Sequence, residues 1–221
     1  MSKMDEKLLK VKKISFKLNG LTPAMMNDGK GANPILPDVM EMSQIQKKKN
    51  KTPEDYRRIA WLQFKIGMYF HPTVGPYIPA DNIIGMIQAA AGVFKLREAC
   101  KRGLFCLHAQ NPMLYEGPRT LDEMWGDGDS KFVDTRIVTL GAGKNKRKVL
   151  RTRPIFPEWA VETEVIINLQ HLTVRNLEDI LAYAGTSIGI LDYRPTYGQF
   201  QHEILSVEDY QGLPTTEALS A

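Results

Sequence analysis

Apolar and polar positions first alternate at Ile14, Phe16 and Leu18, which stand between Lys13, Ser15 and Lys17. A period of two sends one set to a core and the other to water, so the pattern predicts a strand with one buried and one wet, basic face. The cleanest alternation comes later: Val161, Thr163, Val165, Ile167 and Leu169 interleave with Glu162 and Glu164. Further strand-like pieces lie at 132–140, 149–152 and 199–205. The first two flank a Gly141-Ala142-Gly143-Lys144 turn and read as a long hairpin with a basic tip. Helical spacing takes over after Thr52-Pro53-Glu54-Asp55. Thr52 is a cap, Pro53 suits the first helical position, and the two acids favour the positive helix end. Ile59, Leu62, Ile66 and Tyr69 continue the stripe until Gly67 and His71-Pro72 stop it. A second helix is predicted over 82–99, capped by Asp81. Its Ile83, Ile84, Ile87, Ala90, Ala91 and Phe94 are apolar almost all round, which predicts burial. A third, short helix starts with Asn176 as cap and ends at Gly185.

The remaining stretches carry little periodicity. Residues 21–50 are rich in Gly, Pro, Asn and Met and read as a long loop, and 103–130 is turn-rich. With insertions removed, the order is strand, helix, strand, strand, helix, strand. That is the α+β class and the ferredoxin-like βαββαβ platform that RNA-recognition modules share, although a fold alone fixes no function. We expect a single domain over 1–211. It carries an inserted helical subdomain at about 30–75, an insertion with the basic hairpin at about 103–153, and a flexible tail at 212–221.

At 221 residues the chain can bury one sizeable core, and its net charge is only +4. The placement of charge matters more than its sum. Lys47, Lys48, Lys49 and Lys51 form one cluster. Lys144, Lys146, Arg147, Lys148, Arg151 and Arg153 form another with no acid among them, while acids gather between Glu116 and Asp134. Two cysteines without metal-type spacing fit a reducing compartment. Residues 1–7 lack the apolar core of a signal peptide, and no run of about 18 apolar residues could span a membrane. The expectation is a cytoplasmic protein with no membrane partner, no metal and no cofactor.

Three segments can carry binding chemistry. In 185–198, glycines let backbone N–H groups approach a phosphate, Arg194 offers a planar charged fork, and Tyr193 and Tyr197 offer stacking faces. The same residues also describe a tight turn whose tyrosines fill the edge of the core. The 144–153 cluster reads as a solvated hairpin or as a phosphate-binding arm. Lys47 to Lys51 either keep a loop soluble or bind. Asn82 lies at a helix start whose N–H groups can meet a phosphate, which the adjacent Asp81 opposes. Catalysis has little to stand on: His71 lies in a turn with no evident partner, His108 and His202 read as core or strand positions, and Asp28 in the first loop is the one acid to weigh for metal-assisted cleavage. Asp122, Glu123, Asp127 and Asp129 miss the spacing of a calcium loop.

Residues 77–88 resemble the RAMP superfamily, whose members form the backbone subunits of CRISPR effector complexes. The family pattern runs roughly Y-I-P-G-S-S-L-K-G-x-L-R. Tyr77, Ile78, Pro79, Gly85 and, for Leu, Ile83 follow it; Ala80, Asp81, Asn82, Ile84 and Gln88 depart from it, and Ile87 stands for its last Leu. Gly189, Arg194 and Gly198 resemble the family's C-terminal glycine-rich loop, and Leu21-Thr22-Pro23 its first loop. The resemblance implies an RNA-binding subunit that holds guide RNA by its backbone beside complementary target nucleic acid. It implies copies stacked head to tail in an open helical array, with other effector subunits. The hairpin or the inserted helix would act as a thumb, and Asp28 stands nearest to the acid with which some members cleave RNA. With Ile84 and Gln88 at the family's basic places, phosphate contacts move from that helix to the loop and the hairpin. Two other functions remain open: an endoribonuclease on the same fold, and a phage or mobile-element protein that binds single strands.

Overall fold

A computed structural model of the chain describes residues 10–141, 143 and 146–210; residues 1–9, Lys144 and the tail at 212–221 lie outside them. The central strand β1 (Val11–Gly20) pairs antiparallel on one side with β10 (Phe200–Asp209) and on the other with β9 (Ala160–Asn168). The other side of β9 is occupied by two short strands in succession, β5 (Leu104–Cys106) and β6 (Gln110–Leu114). Helix α3 (Ala80–Ala91) precedes β5, and α6 (Val174–Tyr183) joins β9 to β10. The spatial order β10-β1-β9-β6 with these crossovers is the ferredoxin-like platform. Two more strands, β3 (Phe70–His71) and β4 (Gly75–Pro79), continue the sheet beyond β6.

One face of the platform is the core. Ile14, Phe16 and Leu18 of β1 are fully buried, as the alternation predicts, against Ile83, Met86, Ile87, Ala90 and Ala91 of α3 and Leu177, Ile180 and Leu181 of α6. The spacing 83, 86, 87, 90, 91 is a helical stripe, which is why α3 lies flat on the sheet. The other face is wet but not basic in net effect. Lys17 pairs with Glu162 at 3.1 Å, and Lys13 with Glu208 at 3.2 Å and Glu164 at 3.3 Å. Glu164 also accepts from Ser15 Oγ at 2.9 Å and meets His108 Nε2 at 3.1 Å. Its carboxyl therefore lies below the usual carboxylate range, first through Ser15, then through His108 and Lys13, against the opposing effect of burial.

Several boundaries differ from the sequence expectation. The second platform strand, β5 with β6, falls in the stretch read as turn-rich and as the start of the 103–153 insertion. Pro112 and the break at 107–109 hide its alternation, and Asn111, a buried polar residue, is held inside by donating to the Ile78 carbonyl at 3.1 Å. The helix placed at 82–99 is two helices, α3 and α4 (Arg97–Gly103). Asp81 does not cap α3: the helix starts earlier, behind Pro79, and Asp81 sits in its first turn. Asn176 is not the cap of α6 either. Thr173 is, and Asn176 completes its capping box from the third position. Gly185 does not end α6, because a π-turn (Ala184–Ile188) continues to Gly189 at φ 73°. The loop at 21–50 contains α1 (Pro37–Lys47). Thr52 and Pro53 open α2 (Pro53–Gly67) as expected, with a capping box to Asp55.

The two long excursions from the platform meet each other. The first carries β2 (Ala24–Met25), α1 and α2; the second carries α5 (Leu121–Trp125), β7 (Val133–Leu140) and β8 (Arg147–Phe156). Strand β8 lies between β7 and β2 in a second sheet, and α2 packs along it. Val39, Ile45, Leu62 and Ile66 form a small core of their own between α1 and α2. No described helix is long and apolar enough to cross a membrane.

Two predictions follow from this packing. Gly198 has φ 72°, and a Cβ there would collide with the Ile190 carbonyl, so Gly198→Ala should cost about 2 kcal/mol or more. Gly85 is exposed on α3 with nothing near a Cβ, so Gly85→Ala should be neutral or stabilising by up to about 1 kcal/mol. Thermal melts of the two variants check the contrast. The depressed Glu164 carboxyl contributes stability that is complete above the ordinary carboxylate range and disappears as pH falls through its folded value. Urea unfolding should show Glu164→Gln less stable than wild type near about pH 7, with the difference shrinking towards about pH 3.

Candidate nucleic-acid interface

The alternation of β8 sorts its residues into two faces. Thr152, Pro154 and Phe156 are turned inward and buried or half-buried against the core, while Arg147, Arg151 and Arg153 share the other face. In the register with β7, Arg151 stands opposite Arg136 and Arg153 opposite Asp134. Like charges directly opposite one another repel, so this ladder needs anions. Asp134 supplies one, holding Arg136 through two contacts at 2.6 and 2.5 Å. It is the hairpin's single carboxylate. Among the described residues Lys146, Arg147, Lys148 and Arg151 form no ion pair, and Lys144 lies outside them.

The glycine-rich loop resolves differently from its phosphate-gripping reading. The N–H groups of Gly189, Ile190, Asp192, Tyr197 and Gly198 all donate to protein carbonyls, three of those bonds lying within the loop and its preceding turn and two running to Pro23 and Met25. They are therefore not free for a phosphate. Gly189 and Gly198 serve the turn itself, since both have positive φ and both face backbone at close range. The rings of Tyr193 and Tyr197 lie 5.6 Å apart, tilted by 35°, and hold the Arg136 guanidinium over their faces, at 5.0 and 5.2 Å. Tyr197 Oη also accepts from Arg136 at 3.0 Å. Arg136 is thereby pushed above its ordinary value, first by Asp134, with burial opposing and Tyr197 assisting. Arg153 reaches Asp192 at 3.1 Å. The loop is thus the seat of the hairpin, and Arg194 is left exposed on it without an ion pair among the described residues.

Helix α2 runs along the edge of β8 that faces away from β7. Gln63 Oε1 accepts from Thr152 N at 2.9 Å and divides this junction into two clefts. The outer one, of about 410 Å³, brings Lys51 beside Arg147 and Arg151. The inner one, of about 380 Å³, brings Asp28 beside Arg151 and Arg153. The two basic clusters, far apart in sequence, therefore meet. Lys48 is tied to Asp55 at 2.6 Å and so supports the α2 cap, while Lys47 and Lys49 are exposed at the end of α1.

Asp28 is engaged by its own loop: it accepts from Lys30 N at 3.2 Å and pairs with Lys30 Nζ at 2.5 Å. Among the described residues, no group of three or more His, Cys, Asp or Glu side chains is arranged to hold a metal ion. Asn82 is half-buried in the first turn of α3, with its side chain on the Tyr69 hydroxyl. Sequence reasoning missed Arg136 and Tyr56. Arg136 is signalled by its even spacing from Asp134 within a strand, but its pairing with Tyr193 and Tyr197 joins distant segments. Tyr56, 58% exposed, sits in the first turn of α2 over the outer cleft.

No protein family's sequence profile matches the chain, and no curated protein matches it. Among solved structures it is similar to a chain of the Type III-B Cmr-beta complex bound to cognate target RNA, at 14% identity and a TM-score of 0.48, over 90% of this chain. It spans 60% of that chain's length. Cmr6 from Pyrococcus furiosus is similar at 11% identity and a TM-score of 0.37, over 92% of this chain and 100% of its own. Csc2 from Thermofilum pendens is similar at 11% and 0.33, over 90% of this chain and 67% of its own. At these scores the ferredoxin-like fold stands on the strand order of the chain itself.

Proposed function

We propose that this protein is an RNA-binding subunit of a multimeric CRISPR-type ribonucleoprotein and holds a guide strand through its phosphates. The observation that carries the proposal is the set of hairpin cations that form no ion pair among the described residues, Lys146, Arg147, Lys148 and Arg151, beside a carboxylate that is already bound to Arg136. A phosphate chain supplies the anions this ladder lacks, and it does so without reading sequence. Arg194 extends the charge across the loop on which the hairpin sits. The open face of the platform is a poor alternative site, because Lys13 and Lys17 are matched there by Glu162, Glu164 and Glu208. The partial match of residues 77–88 to the RAMP pattern supports the same reading. With it go the proposed partners: complementary target strand, further copies arranged head to tail, and other effector subunits.

Replacing Lys146, Arg147 and Lys148 together by Ala should weaken binding of a single-stranded RNA oligomer. It should also reduce the slope of log K against log salt by about 2 between ~50 and ~200 mM salt. Fluorescence anisotropy measures both, with the matched DNA oligomer as comparison; a preference for RNA would indicate contacts to the 2′-hydroxyl. An unchanged slope would remove the hairpin from the interface. Asp28→Asn tests the endoribonuclease alternative. Since Asp28 is occupied by Lys30, the variant should bind RNA within about twofold of wild type, and the RNA should stay intact with both proteins in magnesium. Cleavage by wild type that the variant lacks would establish the enzyme instead.

A further inference from the structure

The outer cleft between α2 and β8 has a composition that a purely electrostatic arm does not need. We infer that it is a pocket for one nucleotide, taking a base splayed out of a single strand while the flanking phosphates lie on the hairpin. This rests on the nucleic-acid reading above and adds to it a seat for the base.

The cleft's volume of about 410 Å³ lies within the ~300–1,000 Å³ usual for small-ligand pockets. Its floor is apolar, made by Ile59 and Ala60 of α2 and Val149 of β8. Its cations are Lys51, Arg147 and Arg151, and no carboxylate lines it among the described residues. Lys51 Nζ donates to the Lys48 carbonyl at 2.8 Å and forms no ion pair among the described residues, although Asp55, held by Lys48, lies within its electrostatic reach. Tyr56 stands at the mouth with more than half its surface open, in the first turn of a helix fixed by the Thr52 capping box. An exposed tyrosine beside arginines offers a stacking face for any base, and the arginines can take the phosphate on either side.

Polar recognition is also present. Gln63 uses its Oε1 on Thr152 N, which orients its amide nitrogen and leaves that nitrogen as a donor. Thr152 N points to α2 and not to β7, so the pleat turns the N–H and C=O of Leu150 to the same side, into the cleft. Strand β2 pairs only with Ile155 and Phe156, so no described strand covers Leu150 there. A donor and an acceptor on a strand edge, beside an amide donor and over an apolar floor, suit the edge of a nucleobase. An acidic peptide would satisfy the cations and the strand edge but would leave the apolar floor and the tyrosine face without a partner.

The test uses the full chain and an RNA single strand of about twelve residues carrying 2-aminopurine at one position. Stacking on Tyr56 should quench the 2-aminopurine at a defined position. Tyr56→Ala should weaken binding roughly tenfold and leave the salt slope unchanged, whereas Tyr56→Phe should bind like wild type. A strand abasic at the quenched position should lose the same factor with wild type and nothing further with Tyr56→Ala. Tyr56 is exposed, so thermal melts should agree across the variants. Normal RNA binding and salt slope with no effect of Tyr56→Ala or of the abasic position would overturn the pocket and leave the phosphate interface standing. Displacement of the RNA by an equal concentration of an acidic decapeptide would overturn it in favour of a peptide site. Absence of RNA binding by wild type would overturn both.

Discussion

Strand β8 is the constraint on which the proposed binding surface depends. Its inner residues, Thr152, Pro154 and Phe156, are committed to packing, and its partners are drawn from three separate parts of the chain: β7, β2 and α2. Gly67 lets the end of α2 approach Pro154, and Gln63 closes the Thr152 N–H, which turns towards α2 and not towards β7. With the inner face pinned in this way, the period of two leaves no choice for the outer one. Arg147, Arg151 and Arg153 must emerge on the same side as Arg136. A shift of register by one residue would bury those charges, so the hydrophobic inner set indirectly holds the cations in their row.

Charge on this protein divides by whether it is already matched. The wet face of the platform looks basic along β1 alone, yet β9 and β10 bring a carboxylate to Lys13 and to Lys17. The glycine-rich loop looks like a phosphate cradle, yet five of its N–H groups, those of Gly189 and Gly198 among them, close its own turn or fasten it to residues 23–25. Among the described residues, unpaired cations gather on the hairpin, at Arg194 and in the outer α2–β8 cleft, whereas others, such as Lys49, Lys95, Arg102 and Lys131, are scattered. An interface that acts through long-range attraction requires such unmatched charge, held on a rigid backbone so that little ordering remains to be done on binding.

Elements with strong local signals were legible in the sequence. The alternation of β1 and β9, the Thr52-Pro53 start of α2 and the apolar stripe of α3 correspond directly to elements of the fold. Those that depend on partners were not. Strand β6 contains Pro112 and buries Asn111, and the carbonyls of Ile78 and His108 with the Thr163 hydroxyl make that position acceptable. Helix α1 has a weak apolar stripe because its buried side is satisfied by α2. The start of α6 was misplaced by three residues since Thr173 and Asn176 are both good caps and their reciprocal bonds, which span those three residues, decide between them.

The chain by itself determined the α+β platform, because periodicity and caps are local properties that each segment carries wherever it packs. It also determined that cations cluster at 47–51 and 144–153, because charge is written residue by residue. Which of those cations are free was decided only by the tertiary structure. Neutralisation depends on which carboxylate or carbonyl comes within a few ångströms, and those partners lie far away in sequence. The same holds for Tyr193 and Tyr197, which hold Arg136, and for Tyr56, which meets the hairpin only because two insertions fold against one strand.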